Sequence, residues 1–269
     1  MDLNAIQAVI RPSHRGALPD ATTGDAFLAG GTWLFSEPQP SLRRLIDLGT
    51  FKWPPITITQ TGVEISATCT LAELEAQTWP ASWQGAHLVR SCCRALLGSF
   101  KIWNTATVGG NICLALPAGP MTSLATSLNG TCTIWKPDGG TRQMPVLDFV
   151  TGDRGTALAP GEILRAVTLP AESLRRWSTF RQLSLTPQGR SAALLIASRI
   201  GTGLQLTITA ATPRPIQLQF ETVPTPEALA TAIDTKVTAW HDDVHGAPDW
   251  RRHITHLTAQ DIRTEMEAP

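Results

Sequence analysis

Two glycine-bearing stretches constrain this chain more than any other feature. The first is FLAGGTWLF, residues 27–35, where an apolar run ends in Gly30-Gly31-Thr32. The second is TATVGGNICLALPAGPM, residues 105–121, where a small, β-branched run meets Gly109-Gly110-Asn111 and then Pro-Ala-Gly-Pro. A plain hairpin needs fewer constraints. Glycine removes the Cβ, so a ligand can approach the main chain and positive φ costs little. Successive exposed N–H groups then form an anion-binding concavity, to which Thr32, Thr107 and Asn111 could add side-chain donors. Taken singly, each stretch is an ordinary turn sequence. Neither continues into the Lys-Ser/Thr of a Walker loop, and neither has the G-x-G-x-x-G spacing of a dinucleotide fingerprint. Taken together, two such loops could grip one pyrophosphate from both sides.

With 269 residues, 42% apolar and 16% charged, the chain has a globular balance and enough length for two or three small domains. Lys+Arg and Asp+Glu are 22 each. Zero formal net charge gives no basis for binding nucleic acid through its phosphates. No apolar run approaches bilayer length, and the N-terminus shows no basic region followed by a long apolar segment. The five cysteines, Cys69, Cys92, Cys93, Cys113 and Cys132, are odd in number and irregularly placed. They read as reduced thiols of a cytoplasmic protein, small buried hydrophobes rather than cluster ligands, since iron–sulfur ligation needs a tighter local pattern.

Short strands punctuated by Gly and Pro fill the first part: LRRLIDL, ITIT and GVEIS. Thr70 with Glu73 forms a capping-box pattern at the head of TLAELEAQ. HLVRSCCRALLG reads as a helix stopping at Gly98, and PMTSLATSLNG as a helix ending at Asn129-Gly130. TCTIWKPDGGTRQMPV reads as a hairpin, EILRAVTLP as a strand, and SAALLIASRI with LQLTIT as a second hairpin about Gly201-Thr202-Gly203. TPEALATAIDTKVTAW and DWRRHITHLTAQDIRTEM are amphipathic helices that close a separate C-terminal unit beginning near residue 170. His241 with His245, and His253 with His256, are the histidine pairs nearest to metal-ligand spacing. Gly246 and Pro248 argue against a helix carrying the first pair, and charged-surface packing is the expectation for both. No metal site is expected.

LAGGTWL and IWNTATVGGNICLALPAGP, in this order and about 75 residues apart, resemble the FAD-binding medium subunit of the molybdenum hydroxylases, the xanthine dehydrogenase and carbon monoxide dehydrogenase family. MPVLDFVTGDRGTALAPGEILRAVTLP, FRQLSLTPQGRSAALLIASRI and DDVHGAPDWRRHITHL agree with it in order, so the resemblance covers nearly the whole chain. It implies an α+β chain: a two-subdomain FAD-binding fold of the vanillyl-alcohol-oxidase (PCMH) type over residues 1–170, with subdomains of about 1–50 and 51–170. A C-terminal α+β domain of antiparallel sheet and helices follows over 171–269. It implies that Ala29, Gly30, Gly31, Thr32, Trp33 and Leu34 form one FAD loop and Thr107, Gly109, Gly110 and Asn111 a second. Gly98 and Ser99 would line the cofactor, and Leu164 would lie near the isoalloxazine ring.

The resemblance also implies a role. FAD on this chain would take electrons from a molybdenum-cofactor large subunit through [2Fe-2S] clusters on a small subunit and hand them to an external acceptor. The assembly would be a heterotrimer or a dimer of heterotrimers. The protein supplies position and electrostatics, the cofactor the redox chemistry, so no catalytic side chain is assigned. Three positions depart from the family pattern: Trp33 follows Gly-Gly-Thr, Pro120 replaces an acidic residue, and Gln182 replaces a lysine, with Arg181 beside it as a substitute cation. They keep open a stand-alone flavin oxidoreductase and a structural subunit with weak flavin binding.

Overall fold

A computed structural model describes residues 3–267; Met1, Asp2, Ala268 and Pro269, at the outer ends of the expected domains, lie outside them. The chain is α+β. Its first sheet is small and parallel, in the order β1 (Ala8–Ile10), β3 (Arg44–Asp47), β2 (Asp25–Leu28). Asp25 sits directly opposite Arg44 in the register. Arg44 Nε and Nη2 reach the two carboxylate oxygens at 2.8 and 2.6 Å, and this bidentate pair holds the Asp25 carboxyl down at about 2.

The second sheet is built from β4 (Ile56–Ile58), β5 (Gly62–Ser66), β6 (Thr131–Trp135), β7 (Thr141–Pro145) and β10 (Ile163–Pro170) in the antiparallel order β4-β5-β10-β6-β7. A short ribbon, β8 (Val150–Gly152) with β9 (Gly155–Thr156), precedes β10. Arg165 is the extra residue where the β10–β6 register slips. Its guanidinium lies 4.5 Å from the centroid of Trp53, which stacks on Phe51 at 4.9 Å. Arg15 covers Trp135 from the first sheet's side and donates to the carbonyl of Gly140, so this aromatic cluster joins the two sheets.

Helices α1 (Leu71–Ala76), α2 (His87–Ala95), α3 (Phe100–Trp103), α4 (Val108–Leu114) and α5 (Pro120–Ser127) run between β5 and β6. The capping box at Thr70 and Glu73 forms as read from sequence. The end of α2 differs from the expected glycine stop. The left-handed residue is Leu97, φ 53°, and Gly98 is required for space: a Cβ there would fall 2.9 Å from Ile102.

After α6 (Val146–Phe149) and α7 (Ala171–Arg175), the third sheet is an antiparallel meander of β11 (Ser178–Leu183), β12 (Ala193–Ile200), β13 (Gly203–Thr209) and β14 (Ile216–Phe220). β12 is apolar on both faces because both are covered. Leu194 and Ile196 enter the first core, while Ala193, Leu195 and Ala197 enter a second core closed by α8 (Pro226–Lys236) and α9 (Pro248–Glu267). On β13 the face toward α5 is polar instead. Ser123 bonds Thr209 at 2.7 Å, and Gln205 donates to the carbonyl of Ser127 at 2.8 Å. Helix α8 ends four residues before Trp240, because the chain turns extended at Val237 and His241 N–H bonds the carbonyl of Ala211. No helix among the described residues is long and apolar enough to cross a membrane.

Candidate functional site

The first glycine stretch leaves the carboxyl end of β2 in the parallel sheet, where ligands of open α/β sheets characteristically bind. The chain then turns at Gly31, φ +71°, and a Cβ there would fall 2.5 Å from the Phe35 ring. Among the described residues, the backbone N–H groups of Gly30, Gly31, Thr32, Trp33 and Leu34 donate to no protein acceptor. Five consecutive unspent donors about a left-handed residue make a concavity suited to phosphate oxygens.

The second stretch takes a different form from the loop that its glycines suggest. Thr107 caps α4, accepting from Gly110 N–H at 3.0 Å, and Gly109, Gly110 and Asn111 form the helix's first turn. Its amides are already used: Val108 donates to Cys69, Gly109 to Ala67 and Asn111 to Thr107. Successive exposed N–H groups therefore belong to the first stretch alone. The second retains side-chain donors. Asn111 Oδ1 accepts from Met121 N–H at 3.0 Å, which leaves its Nδ2 group without a protein acceptor among the described residues. The Thr107 hydroxyl hydrogen is free in the same sense.

The two stretches meet, and glycine is what lets them. A Cβ on Gly30 would fall 1.8 Å from the carbonyl oxygen of Thr105, and one on Gly109 2.4 Å from Ala67 Cβ. Both glycines thus serve chain against chain. Gly110, whose Cβ would meet only the Thr107 hydroxyl at 2.8 Å, faces outward. Ser99, exposed, stands at the N-cap position of α3 without a side-chain capping bond, and Gly98 precedes it; α3 leads directly into the Thr105 contact. Leu164 is placed differently. It pairs with Ile134 in the second sheet and is 3% exposed within the first core, so little of it is offered to a ligand.

A cleft of about 340 Å³ adjoins this region and runs between Leu116–Ala118 and the third sheet. Arg154, Arg190, Ser191, His241 and Asp243 line it. Beneath it lies Arg251, 1% exposed, whose guanidinium donates to the carbonyls of Gly246, Ala192 and Ala210 and to Asp243. His241 Nε2 stands 3.4 Å from Asp243. Burial pulls against the Asp243 carboxyl, but the His245 amide and Arg251 leave it below the ordinary range. Gln182 donates to Ser191 at 2.9 Å, at the cleft edge. Arg181 is not an inward-turned substitute; it pairs with Glu265 on α9. A larger hollow of about 430 Å³ beside α1 and α2, lined by Trp79, His87 and Arg90, contains none of the residues expected to bind the cofactor.

The cysteines are packing groups. Burial pushes Cys69, Cys93 and Cys113 up to about 12 and Cys92 and Cys132 well above the ordinary thiol value, so none offers a thiolate near neutrality. His256 bonds Asp234, which also takes Arg252 bidentately. Among the tryptophans, Trp83 is buried and Trp240 packs against the second core, while Trp177 is 38% exposed. Arg154, Arg190 and Arg251 escaped the sequence reading because nothing in GDRGT, QGR or DWRR separates a site arginine from a solvated one.

The family model for the FAD-binding domain in molybdopterin dehydrogenase matches residues 17–172. Xanthine dehydrogenase of Oryza sativa subsp. japonica is 31% identical over 121 residues, covering 43% of this chain and 9% of that protein. The nicotinate dehydrogenase FAD-subunit of Eubacterium barkeri is 30% identical over 172 residues, 59% of this chain and 55% of that one. The matches thus span about half of the latter relative and under a tenth of the former. Among solved structures, quinoline 2-oxidoreductase from Pseudomonas putida 86 superposes with a TM-score of 0.78 at 20% identity, over 99% of this chain and 98% of that one. Carbon monoxide dehydrogenase from Hydrogenophaga pseudoflava superposes with a TM-score of 0.78 at 19% identity, over 98% and 99%. At these identities the likeness is one of fold.

Proposed function

The chain belongs to the family of FAD-binding domains in molybdopterin dehydrogenases, and from that premise we propose that it is the FAD-carrying electron-transfer subunit of a multi-subunit molybdenum hydroxylase. The observation that carries its role in cofactor binding is the run of unspent amides from Gly30 to Leu34, held against the head of α4. The residues present suit a pyrophosphate: the main-chain donors of Gly30 to Leu34, with the Asn111 Nδ2 group on the neighbouring stretch. Bound FAD supplies the redox chemistry, accepting electrons and releasing them to a further acceptor. This chain's residues bind and orient it and set the charge around it. Ala29 to Leu34, Gly98, Ser99, Thr107, Gly109, Gly110 and Asn111 form the binding region, Gly109 by allowing the helix to seat on Ala67. The organic substrate is oxidised on a molybdenum-cofactor subunit, and [2Fe-2S] clusters on a small subunit connect the two, in the cytoplasm.

A second reading, a subunit with weakened flavin binding, draws on Pro120. It is buried at the first position of α5, where the family's acidic side chain is replaced by one that offers no hydrogen bond. Purifying the chain with its associated partners and quantifying iron, molybdenum and FAD separates these readings. All three together support the relay. Iron and molybdenum without FAD favour the scaffold, and FAD without either metal indicates a flavoprotein that works alone.

A further inference from the structure

The β8–β9 ribbon turns through Arg154, a non-glycine residue at φ 55°, in the left-handed region where a Cβ is strained. The strain is held by contacts on three sides. Arg154 N–H donates to the carbonyl of Ala115, at the end of α4, at 3.0 Å. The guanidinium carbon lies 5.3 Å from the ring centroid of Trp33, and Nη2 lies 3.9 Å from Glu37. One exposed arginine therefore ties the carboxyl end of α4 to the residue that follows Gly30-Gly31-Thr32, and a strained residue retained at such a junction points to a task there.

We propose that Arg154 is a positioning residue for FAD: its guanidinium fixes the Trp33 ring, and so holds the amide turn Gly30–Leu34 in its receptive form. The inference rests on the reading of that turn as the pyrophosphate site. In the absence of the stack, the turn is held by three hydrogen bonds of its own, Phe35 N–H to the carbonyl of Gly31 and both the N–H and the hydroxyl of Ser36 to that of Trp33; none of them involves the Trp33 ring, which is then free to swing and let the donors diverge.

The test uses Arg154→Gly, Trp33→Leu and the double variant in the purified complex, reading the FAD dissociation constant and thermal stability together. Glycine relieves the left-handed strain, so Arg154→Gly should hold or raise the melting temperature. It should nevertheless weaken FAD about fivefold, the scale of one partly exposed cation–π contact. Trp33→Leu should weaken FAD to a similar degree, and the double variant no further, because both remove one contact. Unchanged FAD affinity in Arg154→Gly, or losses that multiply in the double variant, overturns the inference while leaving the FAD reading intact. A wild-type complex that takes up no FAD overturns the FAD reading and this inference with it.

Discussion

Gly30 shows how much one hydrogen atom can decide. Alanine there would place a methyl group 1.8 Å from the Thr105 carbonyl oxygen, a backbone atom that cannot rotate aside. Gly30→Ala is expected to separate the two stretches, cost about 2–3 kcal/mol of stability and abolish FAD retention. Gly110→Ala meets only the hydroxyl of Thr107 and should lose about 1 kcal/mol, the scale of a weakened cap. Thermal denaturation with quantified FAD checks both. Gln182 makes a sharper electrostatic case. It is neutral, hydrogen-bonded to Ser191, and Arg181 faces Glu265 instead of the cleft. Gln182→Lys should shift the flavin reduction potential positively in a potentiometric titration; an unmoved potential would show that position 182 does not act on the cofactor. From sequence the glycines stood out because their type is restrictive. The unspent amides did not, because whether an N–H is spent depends on partners far along the chain, as with Gly109 and Ala67.

At the scale of elements, β2 and β3 are fastened by the Asp25–Arg44 pair. The folded Asp25 carboxyl titrates at about 2, below its unfolded value of 3.8. A lowered carboxylate pKa stabilises the fold above the unfolded value, and that contribution disappears as pH falls through the folded one. Wild type should therefore lose stability between about pH 4 and pH 2 more steeply than Asp25→Asn, measured by denaturant titration across that window. Arg251 fixes the loop beneath the cleft to the ends of β12 and β13. Arg251→Met takes a buried donor from three carbonyls and leaves Asp243 only the His245 amide and its contact with His241, and should cost about 3–5 kcal/mol. Elements with strong local signals, such as the Thr70 capping box and the β6–β7 hairpin, were legible in sequence. The ends of α2 and α8 were not: the left-handed turn falls on Leu97, one residue before the glycine, and Val237, buried in the second core, turns the chain extended where the local preference is for continued helix.

For the whole molecule, the fold class and cofactor family could be read from the order of motifs, since that order spans several elements at once. How tightly the third sheet is joined to the rest could not. Leu194 and Ile196 lie in the first core while their neighbours on β12 lie in the second, and α5 is buried along all eight of its residues, on the first-core side of this sheet. The chain should unfold in one cooperative transition, with FAD at a hundredfold excess over its dissociation constant adding about 2.7 kcal/mol. Scanning calorimetry that shows two separated transitions would mean that the polar contacts of Ser123 and Gln205 do not couple the sheets.

The most direct test of the central claim is the visible absorption spectrum of the purified complex, with FAD released and counted against this chain. One FAD per chain is the predicted result. A colourless complex that takes up no FAD when it is supplied in excess would mean that the amides of Gly30 to Leu34 hold something else, or nothing.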